Sequence, residues 1–495
     1  MEATDVSWWQ APYYREDGWR APAVPYFAAC LAFLTLVYVF ETYLDLRQHR
    51  KLKDTAFPPP LEEALRNLGS YKPKAKDEKK EEEDKDEKKD EDVKKDEPKD
   101  KTDAEHVSLL DATRAKFDQS RAYGLDKSSF GLLQGAYNQV EATALLLVGY
   151  LPFMWTLSGQ TLALLGLDAT NEISRALMLL TLTTIRDTLV GLPFSLYSTF
   201  VIEARHGFNK QTLGLFFLDK IKGLALFVAI GYPLIAALIV VVRWGGELFY
   251  LYVWVLLLAF SLIMVTLYPV LIMPLFNKFT PLEAGELRTR IEALAARLHF
   301  PLTKLFVCDG SKRSSHSNAY FFGFFKSKRI VLYDTLLEQA TDDEIVAVLG
   351  HELGHWQLWH TAQGFVIQQL YTLALFFVFG RCMNDSELFA SFGFAADGPK
   401  PVLIGLLLFS QTVWAPVDHV LSFLLTLNTR RNEFAADAFA VDLDLAAPLK
   451  TGLTKLAIEN LSNMNPDPLY SAYHYSHPPL VERLNAITAR AKKSE

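Results

Sequence analysis

The sequence predicts an α-helical polytopic membrane protein with seven transmembrane helices and a cytosolic catalytic region that contains a small β-sheet. Half of the 495 residues are hydrophobic although 22% are charged. The two kinds of residue are segregated, because residues 72–103 alone hold 12 lysines and 15 acidic residues. Outside that stretch, apolar runs alternate with two polar blocks, and one of these blocks carries an HExxH motif. Each element of this prediction rests on a separate observation.

Seven runs are long and apolar enough to cross a membrane. A hydrocarbon core about 30 Å thick needs roughly 20 apolar residues of helix. Buried helices of a large soluble core would explain one or two such runs, but seven together make that alternative improbable. The predicted spans are residues 21–40, 142–167, 176–202, 223–242, 248–277, 361–380 and 401–427.

The distribution of lysine and arginine predicts the orientation. These residues are concentrated after the first and third spans and are sparse in the alternate loops, and positively charged loops favour the cytosol. Residues 1–20 are therefore predicted to be lumenal. Residues 279–360 and 428–495 are predicted to be cytosolic, flanking the last two spans at 361–427, with the first five spans within 21–278.

The lysine- and acid-rich insert, at about residues 71–106, is predicted to be disordered because it has too little apolar surface to offset chain entropy. It is either a cytosolic tether for unknown partners or a tolerated loop insertion, and we favour the insertion. The net charge of −7 gives no indication of a nucleic-acid partner. Three widely spaced cysteines exclude a disulfide scaffold.

The HExxH motif lies on a helix predicted to begin near Thr341 and to continue through His360 into the sixth span. His351 and His355 are four residues apart and share one helix face, so both imidazoles can bind one metal ion. Glu352 lies beside them and can take a proton from the attacking water. The alternative is a pair of surface histidines, which the apolar residues around the motif disfavour. His360 is predicted to point elsewhere on the helix.

A catalytic zinc needs a third protein ligand and one open position. Glu433 is the best candidate, with Asp437 four residues later on the same helix face. Asp437 could hydrogen-bond the outer nitrogen of a ligand histidine and could also handle protons. The alternative for Glu433 is an ion pair with Arg430 or Arg431. The hairpin of spans six and seven returns Glu433 to the membrane face of His351, which supports the ligand interpretation.

Three further features surround this set. A strand predicted from Asn318, preceding the zinc helix, could pair an open edge with an extended peptide or be an ordinary sheet strand. His477 and Arg483 could stabilise an oxyanion near the metal, although a surface turn is the simpler interpretation for His477. Charged residues within the spans suggest that the helices enclose a hydrated space. These intramembrane residues are Arg186, Asp187, Asp418 and His419.

Five motifs in this order closely resemble those of the type 1 CAAX prenyl proteases. They are EARHGFNKQT, SSHSNAYFFG, HELGHW, NEFAADAFA and YSHPPLVERL. The resemblance covers nearly the whole chain except the insert and the extreme N-terminus. It implies seven helices around a hydrated chamber and one zinc ion per chain, bound by His351, His355 and Glu433 with Glu352 as the base. Asp437, Asn318, His477 and Arg483 match active-site positions of the family, and Ala319 lies in the same motif as Asn318.

The resemblance also implies a substrate and a location. The family removes the last three residues of CAAX proteins after the prenylated cysteine, and some members make a second upstream cut. It acts in the endoplasmic reticulum membrane and the inner nuclear membrane, and two lysines near the C-terminus, Lys492 and Lys493, resemble a retrieval signal for the former. Two rivals remain: a quality-control membrane zinc protease, and a non-enzymatic scaffold with structural zinc.

Overall fold

The computed structural model describes residues 24–66, 68–71, 107–323 and 328–494. Within them the chain is mainly helical, with a four-stranded mixed sheet between the fifth and sixth predicted spans, which confirms the predicted fold class. The predicted lumenal segment 1–20 and nearly all of the predicted disordered insert lie outside the described residues.

The first half of the chain forms most of the membrane region. In the described residues, six helices are long and apolar enough to span a bilayer, and a bent pair of helices makes a seventh span if it is counted as one. The helices of this half are α1 (Tyr26–Leu52), α2 (Pro59–Leu65), α3 (Leu109–Leu147), α4 (Tyr150–Leu164), α5 (Glu172–Glu203), α6 (Leu213–Trp244) and α7 (Gly246–Phe276).

The sequence predicts one apolar span over residues 142–167, and the structure divides this stretch between α3 and α4, which meet at a bend. The axes of α3 and α4 differ by 68°, and Gly149 between them has φ 68°. Glycine adopts this left-handed conformation without a side-chain clash, so the chain can turn sharply there. Because α4 has only 15 residues, it needs the end of α3 to complete a span of roughly 20.

Helix α3 also connects the membrane region to the C-terminal part of the protein. Its 39 residues extend about 58 Å at 1.5 Å per residue, well beyond the hydrocarbon thickness. Leu109 and Phe117, near its start, are buried in a cluster with Ile458 and Leu484 of the C-terminal region. The ends of the charged insert meet just before α3, where β1 (Ser70–Tyr71) pairs antiparallel with β2 (Val107–Ser108).

The four-stranded sheet has the order β3–β4–β6–β5, with the central β4–β6 pair parallel and both outer pairs antiparallel. The sequence predicts strands over residues 304–308, 318–325 and 329–333, which correspond to β4, β5 and β6, and it does not predict the short strand β3. Strand β5 is an edge strand. The strands are β3 (Phe279–Pro281), β4 (Leu302–Cys308), β5 (Ala319–Phe322) and β6 (Lys328–Tyr333).

Three helices pack against this sheet, and their core is apolar. Ile330 and Leu332 of β6 are fully buried together with Ile291, Leu349 and Leu353 from the helices. The helices are α8 (Glu286–Arg297), α9 (Asp334–Gln339) and α10 (Asp342–Gln357).

Helix α10 begins at the predicted place. Thr341 and Glu344 form a capping box, in which Glu344 accepts a hydrogen bond from the Thr341 N–H. Glu344 also binds the ammonium group of Lys455 at 2.8 Å, and both side chains are almost completely buried. The start of the HExxH helix is therefore fixed by a buried ion pair to the C-terminal region.

The HExxH helix does not continue into the sixth span, contrary to the sequence prediction. It ends at Gln357, and Trp359 has φ 62° in the left-handed region before α11 (His360–Cys382) starts. This break redirects the chain and brings His360 back over the preceding turn.

The rest of the chain returns to the end of the helix bundle that carries the four-stranded sheet. Helix α12 (Ser386–Ser391) precedes the long α13 (Val402–Asp442), which forms the last span and continues past it to the end of the NEFAAD motif. Three shorter helices follow and cover α13 and α10. They are α14 (Ala446–Glu459), α15 (Pro468–His474) and α16 (Leu480–Ser494).

We expect Lys455→Met to destabilise the protein by about 3–5 kcal/mol, because it leaves the buried carboxylate of Glu344 without its cation. Thermal unfolding of the detergent-solubilised protein measures the effect as a lowered midpoint. The double variant Lys455→Met/Glu344→Gln should recover part of the loss. A midpoint unchanged in the single variant would contradict the role of this pair.

Candidate metal centre

Two helices supply the three predicted metal ligands. His351 and His355 lie on α10, and Glu433 lies on α13, which packs directly against it. Gly354 permits this close contact, since a methyl group there would lie 3.0 Å from the Phe439 ring and 3.4 Å from the backbone of α13. The glycine of the HELGH motif therefore has a packing role: it brings the two histidines within reach of Glu433.

The ligand atoms form a compact triangle. His351 Nε2 lies 3.2 Å from His355 Nε2 and 3.5 Å from Glu433 Oε2, and His355 Nε2 lies 3.3 Å from Glu433 Oε1. A tetrahedral zinc site with bonds of about 2.0–2.1 Å places its ligand atoms about 3.3–3.4 Å apart. Glu433 Oε2 is buried and makes no hydrogen bond of good geometry within the described residues. The three side chains therefore fit a divalent metal ion of the size of zinc.

The outer nitrogen of His351 is held by Asp437. The distance from Nδ1 to Asp437 Oδ1 is 2.9 Å, so the Nδ1–H donates to the carboxylate and Nε2 keeps its lone pair for a metal. Burial lowers the pKa of His351, but the nearby carboxylates of Asp437 and Glu433 outweigh it and raise the pKa. Asp437 is thus placed to orient the ring of His351.

Arg483 on α16 binds the other side of Asp437. Its Nε and Nη2 donate to the two carboxylate oxygens at 2.8 and 2.6 Å, while Nη1 lies 3.9 Å from Glu433 Oε2. Two of the three guanidinium nitrogens of Arg483 are hydrogen-bonded to Asp437, so its main contact in the site is with that carboxylate. The oxyanion role predicted for Arg483 would have to come from Nη1 alone.

His360 contacts the outer nitrogen of His355, and the sequence did not predict this contact. The two Nδ1 atoms are 3.0 Å apart. If His355 Nε2 binds metal, its Nδ1–H donates to His360 Nδ1, which fixes the tautomers of both rings. The expectation that His360 points elsewhere was wrong because it assumed a continuous helix, and the break at Trp359 turns the ring inward. No sequence signal such as glycine or proline marks that break.

Glu352 lies beside the ligand set on a cavity of about 500 Å³ that is also lined by His355, Tyr320 and Phe321. Burial raises the pKa of Glu352 above its ordinary value. A carboxylate with a raised pKa is a better proton acceptor than an exposed one. Its position next to the ligands and its exposure to a cavity suit a general base.

His477 reaches the ligands from the segment before α16. Its Nδ1 lies 2.8 Å from Glu433 Oε2, although 67% of the side chain is exposed. His477 is therefore on the surface and also beside the ligands. The surface-turn interpretation and the interpretation of a residue near the metal are both compatible with this position. The alternative ion pair for Glu433 is absent from the described residues, because Arg430 binds Glu482 at 2.9 Å and Arg431 makes no ion pair with Glu433.

Asn318 and Ala319 lie at the start of the edge strand β5. The side-chain oxygen of Asn318 accepts a hydrogen bond from the Ala319 N–H, and the backbone carbonyl of Asn318 accepts one from the Tyr333 N–H. No strand pairs with the outer edge of β5 in the part of the chain that the structure describes. The predicted strand is thus both an ordinary sheet strand and an open edge, and its middle lines the cavity of Glu352.

The charged residues within the spans form contacts with one another or with tyrosines. Arg186 pairs with Glu141 and with Asp187. Asp418 accepts a hydrogen bond from Tyr371 at 2.7 Å. His419 lies 2.6 Å from the hydroxyl of Tyr473. Each of these residues thus has a polar partner, as charged groups within a membrane usually do.

We expect Asp437→Asn to weaken metal binding about 10- to 100-fold, because the ring of His351 loses a charged hydrogen-bond partner. Competition with a chelator of known affinity measures the change. Asp442→Asn is the matched control, since Asp442 lies on the same helix and pairs with Arg490 away from the ligands. Equal metal affinity in the two variants would contradict the role assigned to Asp437.

Two family models match the chain in succession. Residues 103–278 match the CAAX prenyl protease N-terminal model, described as five membrane helices. Residues 281–491 match peptidase family M48, and this region contains all three candidate ligands.

Similar proteins extend over almost the whole chain. The chain is 48% identical to a CAAX prenyl protease 1 homolog of Oryza sativa subsp. japonica, over 96% of this chain and 100% of the relative. It is 40% identical to the CAAX prenyl protease 1 homolog of Homo sapiens, over 95% of this chain and 97% of the relative. The crystal structure of Ste24p from S. mikatae aligns with a TM-score of 0.80 at 37% identity, covering 94% of this chain and 100% of that one.

Proposed function

The chain belongs to the CAAX prenyl proteases of peptidase family M48, and we propose that it is a zinc endopeptidase that removes the last three residues of prenylated CAAX proteins after the prenylated cysteine. Its metal-dependent protease class and its multi-pass membrane character follow from that membership. The identity of the ion, the roles of the individual residues and the cut itself are the proposal.

One observation carries the proposal: the triangle of His351, His355 and Glu433. Its sides of 3.2–3.5 Å fit tetrahedral zinc, and it borders a cavity that leaves one position accessible. A structural zinc site would have four protein ligands and no open position. In the described residues only these three side chains form a cluster of this type.

The residues around the ligands have distinct tasks in peptide hydrolysis. Bound zinc would polarise the scissile carbonyl and make the attacking water more acidic. Glu352 would accept the proton of that water and deliver it to the departing amine. Asp437 and His360 would hold the two ligand rings in place, and His477 would be close enough to donate to the developing oxyanion.

The edge strand would hold the substrate. An extended peptide can add to β5 by main-chain hydrogen bonds, and this pairing places its scissile bond near Glu352, which shares a cavity with Tyr320 and Phe321. The remaining binding energy would come from the prenyl chain, whose hydrocarbon requires an apolar environment.

The protein would lie in the endoplasmic reticulum membrane or the inner nuclear membrane, with its site on the cytosolic side. The concentration of lysine and arginine after the first and third spans supports this orientation, as does the return of both ligand helices to one side of the membrane. The resemblance likewise implies a zinc site at the cytosolic end of the chamber.

The test is the release of a tripeptide from a farnesylated CAAX peptide by the purified protein in detergent, detected by mass spectrometry. We expect release by the wild type, its loss with a chelator and its recovery on addition of zinc. An unprenylated peptide of the same sequence should be cleaved much more slowly. Equal cleavage of both peptides would favour a quality-control protease. A zinc-loaded, folded protein that cleaves neither would favour a structural role for the metal.

A further inference from the structure

The candidate metal centre separates two cavities of different character. The cavity of about 500 Å³ lies on the side of Glu352 and His355 and extends between α11 and α13. A second cavity of about 1010 Å³ lies on the side of His477 and Arg483, and it is bounded by α1, α3 and the C-terminal helices. A peptide cleaved at the metal would therefore have one end in each cavity.

The lining residues differ in charge. Among the described residues, the smaller cavity has no lysine or arginine and includes Phe321, Ile367 and Leu425. The larger cavity is lined by the cations Lys127 and Arg483 and by one carboxylate, Asp45. The smaller cavity has the carboxylate of Glu352 and no such cation, so the larger one is better suited to the negatively charged end of a peptide.

The edge strand connects the two cavities. Tyr320 and Phe321 of β5 line the smaller one, and His316, three residues before the strand, lines the larger one. A peptide paired with β5 can therefore extend from one cavity into the other. The difference in charge decides its direction, with the prenylated cysteine toward Phe321 and the free C-terminus toward His316.

One cation in the larger cavity is available for that C-terminus. Arg483 is committed to Asp437, His477 Nδ1 lies 2.8 Å from Glu433, and His316 lies 3.6 Å from Glu203. Burial lowers the pKa of His474, which favours its neutral form. The ammonium group of Lys127 lies 4.7 Å above the ring of Tyr123, and it makes no ion pair within 4 Å in the part of the chain that the structure describes.

We propose that the larger cavity receives the three residues released by the cut and that Lys127 binds their terminal carboxylate. This inference rests on the proposed function and names the specificity determinant for the free C-terminus. The volume is at the upper end of the range for small-ligand pockets, so a tripeptide fits with its side chains. The carboxylate of Glu203 accepts a hydrogen bond from the Tyr123 hydroxyl at 2.5 Å. Its negative charge would help to position the ammonium group of Lys127 without forming an ion pair with it.

The test compares two prenylated peptides of the same sequence, one with a free C-terminal carboxylate and one with a C-terminal amide. We expect kcat/KM of the wild type to be about 10- to 100-fold higher for the free acid, as for other hydrogen bonds to charged groups. Lys127→Gln should lose this preference by lowering kcat/KM for the acid while leaving the amide unchanged. Lys127→Arg should retain most of it.

Lys116→Gln is the matched control, because Lys116 lies on the same helix, donates to Gln119 and does not line the cavity. A wild type that cleaves acid and amide equally would overturn the inference while leaving the proposed function intact. Equal losses for both peptides in Lys127→Gln would also overturn it, since they would indicate a structural role. Failure of the wild type to cleave either peptide would overturn the proposed function and this inference together.

Discussion

Glu352→Gln is expected to lower kcat for the prenylated peptide about 10²- to 10⁴-fold, the usual contribution of a general base. The amide keeps the size of the side chain but cannot accept a proton, so the attacking water loses its base. The metal ligands are unchanged, and the variant should bind zinc with the stoichiometry of the wild type. Single-turnover kinetics measures the rate, and elemental analysis measures the zinc.

The control for this variant is Glu292→Gln, which changes an exposed glutamate on α8 that pairs with Arg288 on the same helix. It should retain full activity. Activity close to wild type in a zinc-loaded Glu352→Gln protein would show that another group accepts the proton. It would also favour the alternative of a non-enzymatic scaffold in which the metal is structural.

Glu433→Gln is expected to lose the metal as well as the activity. An amide oxygen carries no charge and is a weaker ligand, so only two good ligands remain of a set that needs three. We expect zinc affinity to fall by more than the roughly 100-fold that marks the upper end for outer hydrogen-bond partners. Competition with a chelator measures this affinity directly.

The comparison with Glu352→Gln makes this result interpretable. Both substitutions replace a glutamate by glutamine within the same site, but one should spare metal binding and the other should not. A Glu433→Gln protein that retains zinc with near-normal affinity would exclude Glu433 as a ligand. The third ligand would then have to come from another side chain.

Spacing along a helix explains why most of the site could be predicted. His351 and His355, and separately Glu433 and Asp437, are four residues apart, and helical geometry fixes each pair on one face. The two helices are joined by a membrane hairpin. Because an even number of spans separates them, both lie on the same side of the membrane and can meet. The distance between His351 and Asp437 then follows from the packing of α10 on α13 at Gly354.

The features that could not be predicted depend on single backbone conformations. His360 contacts His355 because Trp359 adopts a left-handed conformation that sequence propensity disfavours for a bulky residue. The bend at Gly149 has a glycine, yet glycines also lie within straight helices here, such as Gly131 and Gly135. Tertiary packing decides between these outcomes, and a single sequence does not record it.

The two cavities also lay beyond sequence reasoning. Lys127 and Arg483 line one cavity although they are 356 residues apart along the chain, and no motif spacing connects them. They come together because α3 extends past the membrane and packs against the C-terminal helices. Only the folded arrangement shows that both a lysine of α3 and the segment before β5 border one space.

The most direct test of the account is an anomalous-scattering map, at the zinc absorption edge, from crystals of the protein as purified. The account predicts one peak per chain, about 2.0–2.2 Å from His351 Nε2, His355 Nε2 and a carboxylate oxygen of Glu433. The peak should disappear in crystals of Glu433→Gln. A zinc peak bound elsewhere, or a strong peak coordinated by four protein side chains, would contradict the assignment of a catalytic zinc to this site.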